Sequence, residues 1–115
     1  MPVKKVLIVD DERDIVNLLV DLLGHCGLDV RSADDAGKAL SILEFMRFDI
    51  IITDHTMPPG IDGVEFTRIV KSMYPATVVI GISGHPYSDV FLNAGADVFL
   101  SKPIDFEELL SIIGQ

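Results

Sequence analysis

The chain has 115 residues, of which 49% are hydrophobic, and a net charge of −9 at pH 7. That length fits a single domain, residues 1–115, with a core of its own, and the composition excludes a disordered chain. The acidic balance argues against direct nucleic-acid binding, which needs an excess of Lys and Arg.

No apolar run approaches the roughly 18 residues that a membrane span requires. The opening MPVKK has neither the apolar segment nor the small-residue cleavage site of a secretory leader. The single cysteine, Cys26, has no internal partner and falls in a helical pattern, so it reads as a packed thiol. These features point to the cytosol.

Val6 to Val9, preceded by Lys4-Lys5, predicts a buried strand that ends at Asp10-Asp11-Glu12. Ile15, Leu18, Leu19, Leu22 and Leu23 recur at helical spacing, and Gly24 and Gly27 mark the exit of that helix. Asp29 to Ser32 is a short strand of low apolar content, suited to a sheet edge. Ala36, Ala39, Leu40, Leu43 and either Phe45 or Met46 give a second helix. In FDIIITDHTMP, Ile50-Ile51-Ile52 is apolar at consecutive positions, the mark of a strand covered on both faces. It stops at Asp54. The loop HTMPPGIDG follows, and Asp62 caps a helix with the apolar stripe Val64, Phe66, Ile69, Val70 and Met73, ended by Tyr74-Pro75. Thr77 to Ile82 is a strand that ends at Ser83-Gly84. Tyr87 to Asn93 allows only a short helix, and Gly95-Ala96-Asp97 is a turn. Val98 to Leu100 is a strand that ends at Ser101-Lys102-Pro103. Asp105, with Glu108 three positions on, opens a last helix to Ile113.

Strand and helix thus alternate five times, which predicts an α/β fold with a parallel sheet and helices on both faces. In such a sheet all strand ends lie on one edge, where open α/β sheets bind their ligands. Asp10-Asp11, Asp54, Ser83 and Lys102 would converge there from distant parts of the chain. Alone, each has an ordinary reading: acids at a helix start, a turn serine, a solvated lysine. Together, carboxylates this close need a cation to remain ionised. Mg2+ suits hard oxygen ligands, and no His or Cys cluster competes for a softer metal. A carboxylate beside such a cation can attack phosphorus and form an acyl phosphate, with Lys102 and the Ser83 hydroxyl stabilising the phosphoryl oxygens.

The motifs VLIVDDE at 6–12, IITDHTMP at 51–58, Ser83-Gly84 after an apolar strand and GADVFLSKP at 95–103 resemble those of the receiver domains of two-component response regulators, chemotaxis regulators among them. The resemblance covers essentially the whole chain. It implies a flavodoxin-like, doubly wound five-stranded parallel sheet of strand order 2-1-3-4-5. It implies that Asp54 accepts a phosphoryl group from a histidine kinase or phosphotransfer domain. The chain would then be a phosphoacceptor that assists its own phosphorylation and dephosphorylation, not an enzyme with a turnover substrate.

The same resemblance assigns Mg2+ to Asp10, Asp11, Asp54 and the backbone carbonyl of Thr56, with Asp11 as the direct first-strand ligand and Asp10 acting through water. It makes Ser83 and Phe99 the switch pair. It implies a cis bond before Pro103, and an output face made of the fourth helix, the last strand and the fifth helix, addressed to an effector domain or target protein. Thr56 and His85, two residues beyond Asp54 and Ser83, would tune loss of the phosphoryl group; the alternative for His55 and His85 is two exposed loop histidines.

The chain departs from the family pattern in three places. The loop MPPGIDG has one proline more than usual, the segment from Ser83 to Gly95 is about three residues short, and the last helix stops early. A shortened fourth helix is therefore expected. Two other classes compete. A pseudo-receiver that keeps the fold as an interaction module would lack phosphorylation, against which the complete set of acids, Ser83 and Lys102 argues. An aspartyl phosphatase needs a second acid two positions after its nucleophile, where this chain has Thr56. A nucleotide site is weaker still, for no glycine-rich phosphate loop follows the first strand.

Overall fold

Five strands and five helices alternate in a computed structural model that describes residues 3–114. They are β1 (Lys5–Val9), α1 (Arg13–His25), β2 (Asp29–Ala33), α2 (Ala36–Leu43), β3 (Ile50–Asp54), α3 (Gly63–Met73), β4 (Val78–Ser83), α4 (Ser88–Asn93), β5 (Val98–Ser101) and α5 (Phe106–Ile113). The strands form one parallel sheet in the order β2-β1-β3-β4-β5. The chain therefore winds outward from β1 to one edge and then back past it to the other, which leaves a crevice between the ends of β1 and β3. No helix among the described residues is long and apolar enough to cross a membrane.

Consecutive strand residues face opposite sides, and the two cores follow from that alternation. Leu7, Val9, Ile51 and Val79 meet Ala36, Ala39, Leu43, Phe66, Val70 and Phe91 from α2, α3 and α4. Val6, Ile8, Ile50, Ile52, Ile80, Ile82 and Leu100 meet Val16, Leu19 and Leu23 of α1 and Leu109 and Ile113 of α5. β2 is an edge strand, as its weak apolar content predicts. Asp35, Asp62 and Asp105 cap α2, α3 and α5, accepting from the N–H groups of Lys38, Glu65 and Glu108. Lys71 ties the lower part of the sheet together. Its ammonium donates to the carbonyl of Thr77 at 2.8 Å and to Asp97 Oδ2 at 3.0 Å, and that same oxygen accepts from the N–H of Val79 at 2.9 Å.

Several side chains differ from the sequence expectation. α1 buries Val16, Leu19 and Leu23, while Leu18 is 58% exposed and Leu22 is half-buried. One residue turns a helix by 100°, so a stripe centred on Val16 and Leu19 rotates Leu18 and Leu22 off the sheet. Phe45 lies past the end of α2 and is exposed; Met46 packs instead. Met73 at the end of α3 is also exposed. Cys26 caps the C-terminus of α1 and is half-buried, outside the helix proper.

α4 is six residues long, the short helix that the sequence predicts. It is anchored through Phe91, fully buried over Gly81 of β4. A Cβ at position 81 would lie 2.4 Å from Phe91 Cδ1, so only glycine lets the ring lie on the strand. Gly81→Ala is expected to cost about 1–3 kcal/mol, the range for overpacking a full core, measured by chemical denaturation. Phe91→Leu in the same chain should recover part of that loss. An unchanged midpoint in the single variant would contradict the packing.

Candidate functional site

β1, β3, β4 and β5 deliver their terminal polar residues to one edge. Asp10 follows β1 directly, with its N–H donating to the carbonyl of Ala33 at 3.1 Å. Its Oδ1 accepts from the N–H of Glu12 at 2.9 Å. This side chain to backbone bond turns the chain out of the strand. Asp10 is left 1% exposed, and Asp11 stands exposed at the corner of the turn. Asp54 ends β3 and is buried, and Ile82 is its register partner on β4, which places Ser83 one step further out on the adjacent strand. Lys102 follows β5, its N–H donating to the carbonyl of Ser83 at 2.8 Å. The Lys102–Pro103 bond is cis, and so is Pro58–Pro59 in the loop with the additional proline.

The backbone of Asp54 is held tightly. Thr53 Oγ1 donates to its carbonyl at 3.0 Å, and the N–H of Gly63 donates to the carbonyl of His55 at 2.7 Å. A Cβ on Gly63 would sit 1.8 Å from the Asp54 oxygen, so glycine is required for α3 to start this close to the strand end. Thr67 Oγ1 returns to the Gly63 carbonyl at 2.7 Å.

At the centre is the Lys102 ammonium. It lies 2.6 Å from Glu12 Oε1, 3.3 Å from Asp10 Oδ2 and 3.3 Å from Asp54 Oδ1. One oxygen from each of these carboxylates lies within 4.8 Å of the others. Burial alone would lower the lysine's pKa, but the hydrogen bond to Glu12 and the charges of Asp10 and Asp54 outweigh it and raise the value above the ordinary one. For Asp10, burial raises the pKa first and the charge of Asp54 adds to it; the Glu12 N–H and Lys102 oppose without cancelling, so the net shift is upward.

The group can accommodate a hard divalent cation. Its donors are all carboxylate oxygens, Asp10 is buried with its ionised form disfavoured, and a lysine ammonium already occupies the position of positive charge. Asp10 and Asp54, the buried members of the group, would hold such an ion, with Glu12 beside them at the rim. Asp11, expected as the direct ligand, is not in the group: the turn made by Asp10 leaves it exposed, lining a groove with Asp10, Arg13, Lys38 and Pro59. Glu12 belongs to the VLIVDDE motif, but the sequence gives it no site role beside Asp10 and Asp11. The signal for it was available, in that a third consecutive acid carries one more methylene and so a longer reach.

Ser83 is buried, and its Oγ accepts from the N–H of His85 at 3.1 Å. Thr56 is exposed, its hydroxyl 3.1 Å from His55 Nδ1. His85 is exposed, whereas His55 stacks on Tyr87 with ring centroids 4.1 Å apart and meets Phe91 edge-on at 6.0 Å. Of the two loop histidines only His85 is exposed, and its ring lies 5.7 Å from that of Tyr87. Phe99 is half-buried and packs against the edge of the core beside Phe91, at 5.7 Å between centroids.

The sequence matches the response regulator receiver domain family over residues 6–114. It is similar to the response regulator protein PilR of Pseudomonas aeruginosa, with 37% identity over 113 residues, 96% of this chain and 25% of PilR. The chain thus spans about a quarter of the length of that relative. The solved chemotaxis response regulator CheY4 of Vibrio cholerae is 32% identical, with a TM-score of 0.88 and 97% of both chains covered. The response regulator protein TrrA of Thermotoga maritima, solved in complex with Mg2+–BeF, is 28% identical, with a TM-score of 0.87 and 96% of both chains covered.

The raised pKa of Asp10 has a definite sign. Its contribution to stability is fully present below the ordinary value of 3.8 and is lost as pH rises through the raised folded-state value. In metal-free buffer at neutral pH, Asp10→Asn is therefore expected to raise the thermal unfolding midpoint, with a gain that shrinks on acidification. Added Mg2+ should raise the midpoint of the unaltered chain more than that of the variant. Scanning calorimetry at several pH values checks both; a variant less stable at neutral pH would contradict the assignment.

Proposed function

The chain belongs to the response regulator receiver domain family, and we propose that Asp54 is its phosphoacceptor, supplied by a histidine kinase or a phosphotransfer domain. The observation that carries this reading is the Lys102 ammonium, held 3.3 Å from Asp54 Oδ1 on a buried edge that Asp10 also reaches. A carboxylate oxygen of Asp54 attacks the phosphorus of a phosphohistidine. The P–O bond forms as the P–N bond breaks, and the electron pair leaves on the imidazole nitrogen. Lys102 stabilises the phosphoryl oxygens as a point charge, and the Ser83 hydroxyl donates to one of them. Mg2+, when bound by the carboxylates, would supply the further positive charge that such a transfer needs.

Ser83 is the first part of the switch. Drawing its Oγ toward the phosphoryl group, to which the O–H donates, lengthens the bond that the same oxygen accepts from the His85 N–H. That shift couples phosphorylation to the start of the β4–α4 loop and, through Tyr87 and Phe91, to Phe99 and the α4-β5-α5 face. The outcome is a population shift between two packings, driven by what the phosphoryl group contacts in one and not in the other. Thr56 and His85 flank the site and set how readily water reaches the acyl phosphate. An effector domain or a separate target protein would read the changed face.

Intact-mass spectrometry after acetyl phosphate treatment tests the proposal. One phosphoryl adduct is expected with Mg2+ and none after chelation. Asp54→Asn should abolish it, and Lys102→Ala should slow labelling by about 10²-fold or more, as for loss of a charged group that acts on the transition state. Undiminished labelling of Asp54→Asn would remove Asp54 from the role, and an unlabelled wild-type chain would favour a pseudo-receiver.

A further inference from the structure

Four helices are opened by an acid, and one of the four uses its carboxylate differently. Asp35, Asp62 and Asp105 each accept from an N–H of their own helix. Glu12, at the N-cap of α1, makes no such bond. Its Oε1 instead accepts from Lys102 Nζ at 2.6 Å, ninety residues away in sequence and the shortest of the three contacts that the ammonium makes. Asp is the length that caps a helix, and Glu is one methylene longer, which frees this carboxylate to reach Lys102. The backbone of Glu12 is fixed by Asp10 Oδ1, which aims the side chain across the crevice.

The three partners of Lys102 are not equivalent. The side chains of Asp10 and Asp54 are 0% and 11% exposed and belong to the phosphoacceptor site. That of Glu12 is 53% exposed, at the rim. We propose that Glu12 is a positioning residue that shares the Lys102 ammonium with Asp10 and Asp54 and so restrains the charge that must move onto a phosphoryl group. The inference rests on the assignment of Asp54 as acceptor. Two consequences oppose one another. When a cation takes Asp10 and Asp54, Glu12 gives the displaced ammonium a place to go, which favours metal binding. When the phosphoryl group arrives, Lys102 must leave Glu12, which disfavours transfer. A residue with a merely structural role would move both quantities the same way.

The test uses the full chain and Glu12→Gln, which keeps the shape and removes the charge. In metal-free protein, the Lys102 ammonium NMR signal should exchange faster with water in the variant. Calorimetric Mg2+ affinity should fall. The rate of labelling by acetyl phosphate at saturating Mg2+ should rise by about two- to fivefold, the range set by the worth of a half-exposed ion pair. Glu12→Asp, charged but one methylene shorter, should fall between wild type and Gln, and carries the test if Gln folds poorly. Unchanged or slower labelling at saturating Mg2+, or an unchanged Lys102 signal, overturns the proposal. A wild-type chain that takes no label overturns the Asp54 assignment instead, and Glu12 is then judged by the Lys102 signal alone.

Discussion

Two carboxylates buried at neighbouring strand ends repel each other and lose their hydration, and neither cost is small in a protein interior. Lys102 is what allows Asp10 and Asp54 to coexist there. Its side chain is only 15% exposed and its ammonium touches both. The lysine is brought in by β5, the far strand of the sheet, whose register with β4 sets Lys102 N–H against the carbonyl of Ser83. The site therefore depends on the complete sheet: β1 brings one acid, β3 another, β4 the hydroxyl and β5 the cation. Local folding of any two of these strands would leave an unpaired buried charge, so the charge arrangement favours a cooperative all-or-none sheet.

A second layer joins this edge to the distal face. Gly81 removes a side chain from β4, and Phe91 fills the space. Phe99, the register partner of Gly81, leans on Phe91, while Tyr87 and His55 continue the aromatic contacts back to the residue after Asp54. Phe91 thus occupies the surface over β4 beside Phe99. In a packed core a ring moves only when its neighbour does. The short α4 follows from the same arrangement: Phe91 anchors it, while Val90 and Leu92 on either side are exposed. The Phe99 ring thus lies against the helix that carries Phe91.

Much of this was legible in the sequence. The alternation of elements, the strand-end positions of Asp10, Asp54, Ser83 and Lys102, and the short α4 depend on apolar period and on turn residues, which are local properties; the strand order came only from the resemblance to receiver domains. What was not legible depends on how far a helix is rotated or how far a side chain reaches. Leu18 and Leu22 fit a helical stripe as well as Val16 does, and only contact with the sheet decides between them. Phe45 and Met46 differ by whether the helix continues past Leu43. Glu12, and not Asp11, faces Lys102 because Asp10 folds back on the chain through Glu12 N–H, a turn that the sequence permits but does not compel. The stack of His55 on Tyr87 joins two loops and has no period from which it could have been read.

The electrostatic balance also limits what the site can do without help. Among the described residues, Asp10, Glu12 and Asp54 surround one ammonium, so the group is deficient in positive charge before any phosphoryl group arrives. A phosphoryl group adds further negative charge within a few ångströms. Lys102 cannot answer this alone, because its charge is already divided among the carboxylates. In the proposed transfer to Asp54, a second cation would supply the missing positive charge. On the proposed reading, the partition of Lys102 between Glu12 and the buried acids would set how much of the lysine's charge is free for the transfer. The three carboxylates share one ammonium, so any group that draws it toward Asp54 must draw it away from Glu12.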